Sequence, residues 1–145
     1  MQLSKNFSLE EMTATSSHLS NTPTQGEINS LGLLVREVLQ PVRDMIKIPI
    51  KINSGFRSIA VNKEKGGADK PISQHTKGEA ADLDCSDNAK LFHLIRDNFV
   101  FDQLIWEGGD DKQPAWVHVS YKTQGNRSEL LRMKVIKGKK TYIRL

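Results

Sequence analysis

Ser73-Gln74-His75-Thr76-Lys77-Gly78-Glu79-Ala80-Ala81-Asp82 decides how this chain is read, because it sets a histidine and a carboxylate on either side of a glycine and runs into an apolar strand. Imidazole nitrogen and carboxylate oxygen are both ligands for a divalent zinc ion, whose hydrolytic sites use three protein ligands and leave the fourth position open. His75 and Asp82 are candidates for two of the three. They stand seven residues apart with Gly78 between them, whereas metal-binding pairs on one helix sit three or four apart on a single face. The chain is therefore expected to turn after His75 and to enter a strand near Ala80. In that strand Ala80, Asp82 and Asp84 share one face, and Ala81, Leu83 and Cys85 share the other.

A third ligand is offered by Trp116-Val117-His118-Val119-Ser120-Tyr121, an alternating run that reads as a buried strand with His118 on the face of Trp116 and Ser120. A strand histidine by itself is more often a hydrogen-bonded structural residue than a ligand. The pair upstream makes His118 the third candidate.

The spacing S-x-H-x-x-G-x-A-x-D, followed by W-V-H-V-S, resembles the zinc D-Ala-D-Ala metallopeptidase family. That family includes phage cell-wall endopeptidases and shares its zinc fold with the hedgehog signalling domain. The likeness extends over almost the whole chain. It implies one zinc ion per chain and hydrolysis of peptide bonds in the stem or cross-link peptides of bacterial peptidoglycan, by a carboxypeptidase or an endopeptidase. In family members an arginine in a similar S-G-[YF]-R segment lies by the zinc, which makes Arg57 of Ser54-Gly55-Phe56-Arg57 the candidate for gripping a substrate carboxylate or carbonyl. The planar fork of guanidinium donors suits that role.

Peptide hydrolysis also needs a general base to take the proton of the attacking water and pass it to the leaving amine. Many family members carry this acid three residues before the last histidine, as [DE]-x-x-H, and here that position is Ala115. Glu107, at the end of the preceding strand, is the expected replacement; the loop acids Asp110 and Asp111 are its rivals.

The length of 145 residues suits a single zinc peptidase domain over 1–145, and 37% hydrophobic residues are enough for one modest core. The net charge of +4 and pI near 9.2 suit an anionic polymer, either nucleic acid or bacterial wall. No nucleic-acid motif is recognisable, so a nucleic-acid partner is not expected and peptidoglycan peptides are. The single Cys85 rules out an internal disulfide and points away from Asp82 on its strand, so it reads as core packing. The first residues lack the apolar run of a secretion signal, and no stretch of about 18 apolar residues implies membrane insertion. The expectation is a monomer made in the cytoplasm that reaches the wall on release or by phage delivery, as a lysis or tail enzyme would.

Taken in order, Ser8 with Glu11 reads as a capping box opening a short helix, and Thr13 to Thr24 reads as a loop holding a solvated His18. The apolar steps from Ile28 to Ile46 predict the longest helix, kinked or divided at Pro41. Ile48 to Asn53 predicts a strand with Pro49 near its start, and Ala60 to Ile72, with Gly66-Gly67, a mobile loop. Asp87 to Asn98 predicts a second helix carrying His93 as a surface or packing residue, Phe101 to Glu107 a strand paired with that of His118, and Leu130 to Leu145 a hairpin about Gly138. The fold class is α+β, with helices packed on a small, largely antiparallel sheet of the hedgehog and D-Ala-D-Ala-peptidase kind whose rim holds the zinc. Two other functions compete: a zinc-containing wall-binding or interaction module without catalysis and, last, a nucleic-acid binder.

Overall fold

Six strands form one sheet in the order β1-β2-β4-β3-β5-β6 in the computed structural model, which describes residues 1–145. They are β1 (Lys51–Ser54), β2 (Ala80–Asp84), β3 (Gln103–Glu107), β4 (Trp116–Ser120), β5 (Glu129–Ile136) and β6 (Lys139–Arg144). Every neighbouring pair is antiparallel except β3 with β5. The fold is α+β, with helices α1 (Leu9–Met12), α2 (Gln25–Leu34), α3 (Gln40–Ile46), α4 (Ile59–Glu64) and α5 (Asn88–Asn98).

Period-two alternation divides the central strands cleanly. Ala81, Leu83, Leu104, Trp106, Val117 and Val119 point to one face and join the apolar core with Leu31, Leu34, Val35, Val38, Leu39 and Val42 of the long helix. Leu91, Phe92 and Ile95 of α5 complete it. Each such side chain is worth about 1.5–3 kcal/mol on burial, so this face holds the sheet in register. The opposite face carries Asp82, Ile105, Glu107 and His118.

The helical stretch from Gln25 to Ile46 is unbroken, but not uniform. A π-helical segment, Val35–Leu39, joins α2 to α3, and the Gln40 amide donates to the Val35 carbonyl. The wider turn directly precedes Pro41, so the missing proline amide is absorbed by a local change of winding rather than by a division of the helix. Thr24 and Glu27 form the reciprocal capping box at its start. At α1 only half of such a box forms, with Ser8 accepting from the Glu11 amide.

Four local expectations need correction. Residues 60–64 of the expected loop belong to helix α4, capped by Ser58, whose hydroxyl accepts from the Val61 amide. Strand β1 begins at Lys51, beyond Pro49, which lacks the amide that a ladder needs. The capping box at Ser8 is one-sided. Two of the candidate ligands, Asp82 and His118, stand inside the sheet rather than on its rim, because β2 and β4 are both interior strands. His18 and His93 are exposed, and His93 stacks edge-on against Phe92.

The tail hairpin is tied down by Asp102, whose carboxylate is fully buried and accepts from the amide, Nε and Nη2 of Arg127. This clasp directs the chain from β4 back alongside β3, where β5 runs parallel to it.

Candidate metal centre

Asp82 and His118 lie directly opposite one another on β2 and β4, so their side chains leave the same face side by side. His118 Nδ1 is 3.0 Å from Asp82 Oδ1. On the other side of Asp82, strand β1 carries an irregularity between Ile52 and Ser54, which places Ser54 opposite Asp82. Such bulges re-aim a strand, and this one turns the chain into Gly55-Phe56-Arg57.

His75 arrives from a short 3₁₀ turn, Gln74–Lys77, begun by the Ser73 hydroxyl and ended by Gly78. Gly78 has φ +71°, and a Cβ there would meet the Glu27 carbonyl oxygen at 2.4 Å. Only glycine closes this turn against the start of α2. The backbone of the Gly55–Arg57 corner then grips His75 twice: its Nδ1–H donates to the Gly55 carbonyl at 2.7 Å, and its own carbonyl accepts from the Arg57 amide at 3.0 Å.

That grip fixes the tautomer. With the proton on Nδ1, the Nε2 lone pair of His75 faces Asp82 Oδ2 at 3.4 Å, so two electron-rich atoms confront each other with no proton between them. One nitrogen or carboxylate oxygen from each of His75, Asp82 and His118 lies within 4.8 Å of the others. The two imidazoles stand edge to face, with centroids 5.2 Å apart. A cation among them relieves the confrontation, and two nitrogens with one carboxylate oxygen are a donor set that zinc takes. The group fits a zinc ion.

The electrostatics agree with that use. Burial pushes the His75 imidazole below its ordinary pKa against the opposing pull of Asp82, leaving it neutral, as a ligand must be. For Asp82 burial acts upward, but the charge and hydrogen bonds of His75 and His118 in their protonated forms outweigh it, and the carboxyl is held well below the usual range.

Glu107 ends β3 on the same face, only 6% exposed. Burial drives its pKa up to about 7, with His118 opposing and the Asp82 charge adding to the rise. Its backbone carbonyl accepts from the Ala115 amide at 2.9 Å, so Glu107 stands across the hairpin from the position where many family members carry their acid. The rival acids have other partners. Asp110 Oδ1 accepts from the amides of Lys112 and Gln113 to shape the turn, and Asp111 pairs with Arg132 at 2.6 Å. Asp84, which shares the face of Asp82, accepts from Asn88 at the start of α5.

Arg57 borders the centre. Burial lowers its pKa, the Asp82 charge acts the other way, and its buried Nε has no hydrogen-bond partner. A half-buried guanidinium beside a carboxylate is equipped to take an anionic or carbonyl oxygen from outside the chain. Reasoning from sequence missed the Gly55 carbonyl, which orients His75; a backbone acceptor has no residue signature.

With this geometry in view, the profile of the peptidase M15 family matches residues 5–120. The chain belongs to the M15 family of zinc D-Ala-D-Ala metallopeptidases. The match contains all three ligand candidates, Arg57 and Glu107, and ends before β5 and β6. No curated protein matches the chain. No helix is long and apolar enough to cross a membrane.

Proposed function

We propose that this M15 peptidase cleaves the short peptides of bacterial peptidoglycan, with one zinc ion held by His75, Asp82 and His118, Glu107 as general base and Arg57 as the grip on a substrate carboxylate or carbonyl. The observation that carries this reading is the His75 Nε2 lone pair aimed at Asp82, with His118 alongside and a buried glutamate on the same sheet face. Zinc bound there would supply a Lewis acid that polarises the scissile carbonyl and makes water a competent nucleophile.

The chain's own residues divide the remaining work. Glu107, with a pKa of about 7, accepts a proton from the attacking water and donates it to the leaving amine, a transfer for which a pKa near the working pH is best. The half-buried guanidinium of Arg57 takes a substrate oxygen and counters developing negative charge. The net charge of +4 draws the protein to an anionic wall. In this reading the enzyme is a monomer with no nucleic-acid partner and no membrane insertion, and acts on the wall after release or phage delivery.

A second reading is favoured by one observation: Ala115 stands where many family members carry their acid. A zinc-containing module that binds wall peptides without cutting them would follow if Glu107 did not serve. The two are separated by digesting purified wall fragments with and without a chelator and weighing the products by mass spectrometry. Chelator-sensitive loss of terminal D-alanine identifies a carboxypeptidase, and cuts within the stem or cross-bridge an endopeptidase. Intact fragments with fully zinc-loaded protein would establish the binding module instead.

A further inference from the structure

The hairpin of β5 and β6 lies beyond the residues that match the family, yet it continues the sheet on the side of Glu107. Glu107 is paired with Met133, and Met133 with Tyr142. Residues directly opposite one another share a face, so Tyr142 projects from the face that carries Glu107, Asp82 and His118. Met133, between them, is only 4% exposed, whereas Tyr142 is 51% exposed. The floor is covered and the phenol stands above it.

Tyr142 stands two strand spacings along the sheet from Glu107, roughly 10 Å at about 4.8 Å per strand. Burial raises its pKa, and the charges of Glu107 and then Asp82 raise it further. Lys140, two residues earlier on the same face, in turn acts on Glu107. The register therefore sets the phenol on the face that carries the centre, two strands from Glu107. Neither carboxylate accepts a hydrogen bond from that hydroxyl; they act on it through charge alone. A structural tyrosine buries its ring and satisfies its hydroxyl, and Tyr142 does neither fully.

We propose that Tyr142 is a substrate-contacting residue of this enzyme, bordering the centre on the Glu107 side and donating its hydroxyl hydrogen to a peptide oxygen beside the scissile bond. The proposal rests on the peptidase reading for its substrate class. It makes the C-terminal hairpin the part of the chain that adapts the shared zinc centre to its own peptide.

Tyr142→Phe removes the donor and keeps the ring. Zinc-loaded wild type, Tyr142→Phe and Lys139→Ala, an exposed control on the other face of β6, are compared for kcat and KM on a wall stem peptide. Binding of the same peptide is measured by calorimetry in Glu107→Gln protein with and without Tyr142→Phe, so that affinity is read without turnover. The expected result is a kcat/KM or affinity about tenfold lower for Tyr142→Phe, with stoichiometric zinc and an unchanged control. Tyr142→Phe within twofold of its parent in both measurements overturns the proposal, as does failure of the parent to bind the peptide. If wild type binds but never cuts, the peptidase reading fails, and the calorimetric comparison still decides the role of Tyr142.

Discussion

Asp82 and Glu107 are two carboxylates on one sheet face, separated by the strand of His118, and they titrate in opposite directions. Asp82 lies between two imidazoles, whose protonated forms hold its carboxyl ionised against its burial. Glu107 is buried without a hydrogen-bonding partner of that kind, and its pKa rises to about 7. The same functional group is suited to a ligand's work at one place and to a proton carrier's at the other by its neighbours alone. Burial is common to both; the partner decides.

This contrast breaks most visibly at the ligands. His75→Ala, Asp82→Ala and His118→Ala are each expected to abolish stoichiometric zinc and all turnover, as measured by elemental analysis after dialysis and by peptide hydrolysis. Zinc retained at one per chain in all three would remove the assignment.

The next effect concerns stability in metal-free protein. Glu107 has a folded pKa of about 7 against 4.5 ordinarily, so below pH 4.5 it is protonated in both states. Between pH 4.5 and 7 the unfolded chain gives up its proton first, and the stability associated with the protonated carboxyl is lost as pH rises through the folded value. Denaturation titrations should show wild type losing on the order of 3 kcal/mol relative to Glu107→Gln across this window. Parallel curves for the two proteins would mean that Glu107 is not desolvated.

The smallest effects are expected in the turn. Asp110→Asn and Asp111→Asn should stay within about twofold of wild-type turnover and within about 0.5 kcal/mol in stability, because both acids are exposed and engaged elsewhere. Loss of turnover in either would shift the base from β3 to the loop.

The grouping of His75, Asp82 and His118 was legible because a histidine, a glycine and an aspartate at fixed spacing, with an alternating strand downstream, leave few arrangements other than a shared site. Alternation also divided β2 and β4 into a core face and a site face correctly. What escaped was non-local or weakly patterned. The interior position of β2 and β4 depends on strand order, and the parallel pairing of β5 with β3 depends on the Asp102–Arg127 clasp. Helix α4 buries only Val61 and Asn62, too little to show an apolar stripe among its charges. The π segment before Pro41 has no residue signature, since Val35–Leu39 carries the same apolar steps as the helix around it. Tyr142 was legible only as a strand residue; its place on the face of the centre comes from the register of β5 with β3 and β6.

The central claim is that environment has made Asp82 a ligand and Glu107 a base. It is tested most directly by measuring zinc content and kcat/KM together in Glu107→Gln. The account predicts one zinc per chain and a loss of about 10²- to 10⁴-fold in kcat/KM, because the amide keeps the shape but takes no proton. Wild-type turnover with full zinc, or loss of the zinc itself, would contradict it.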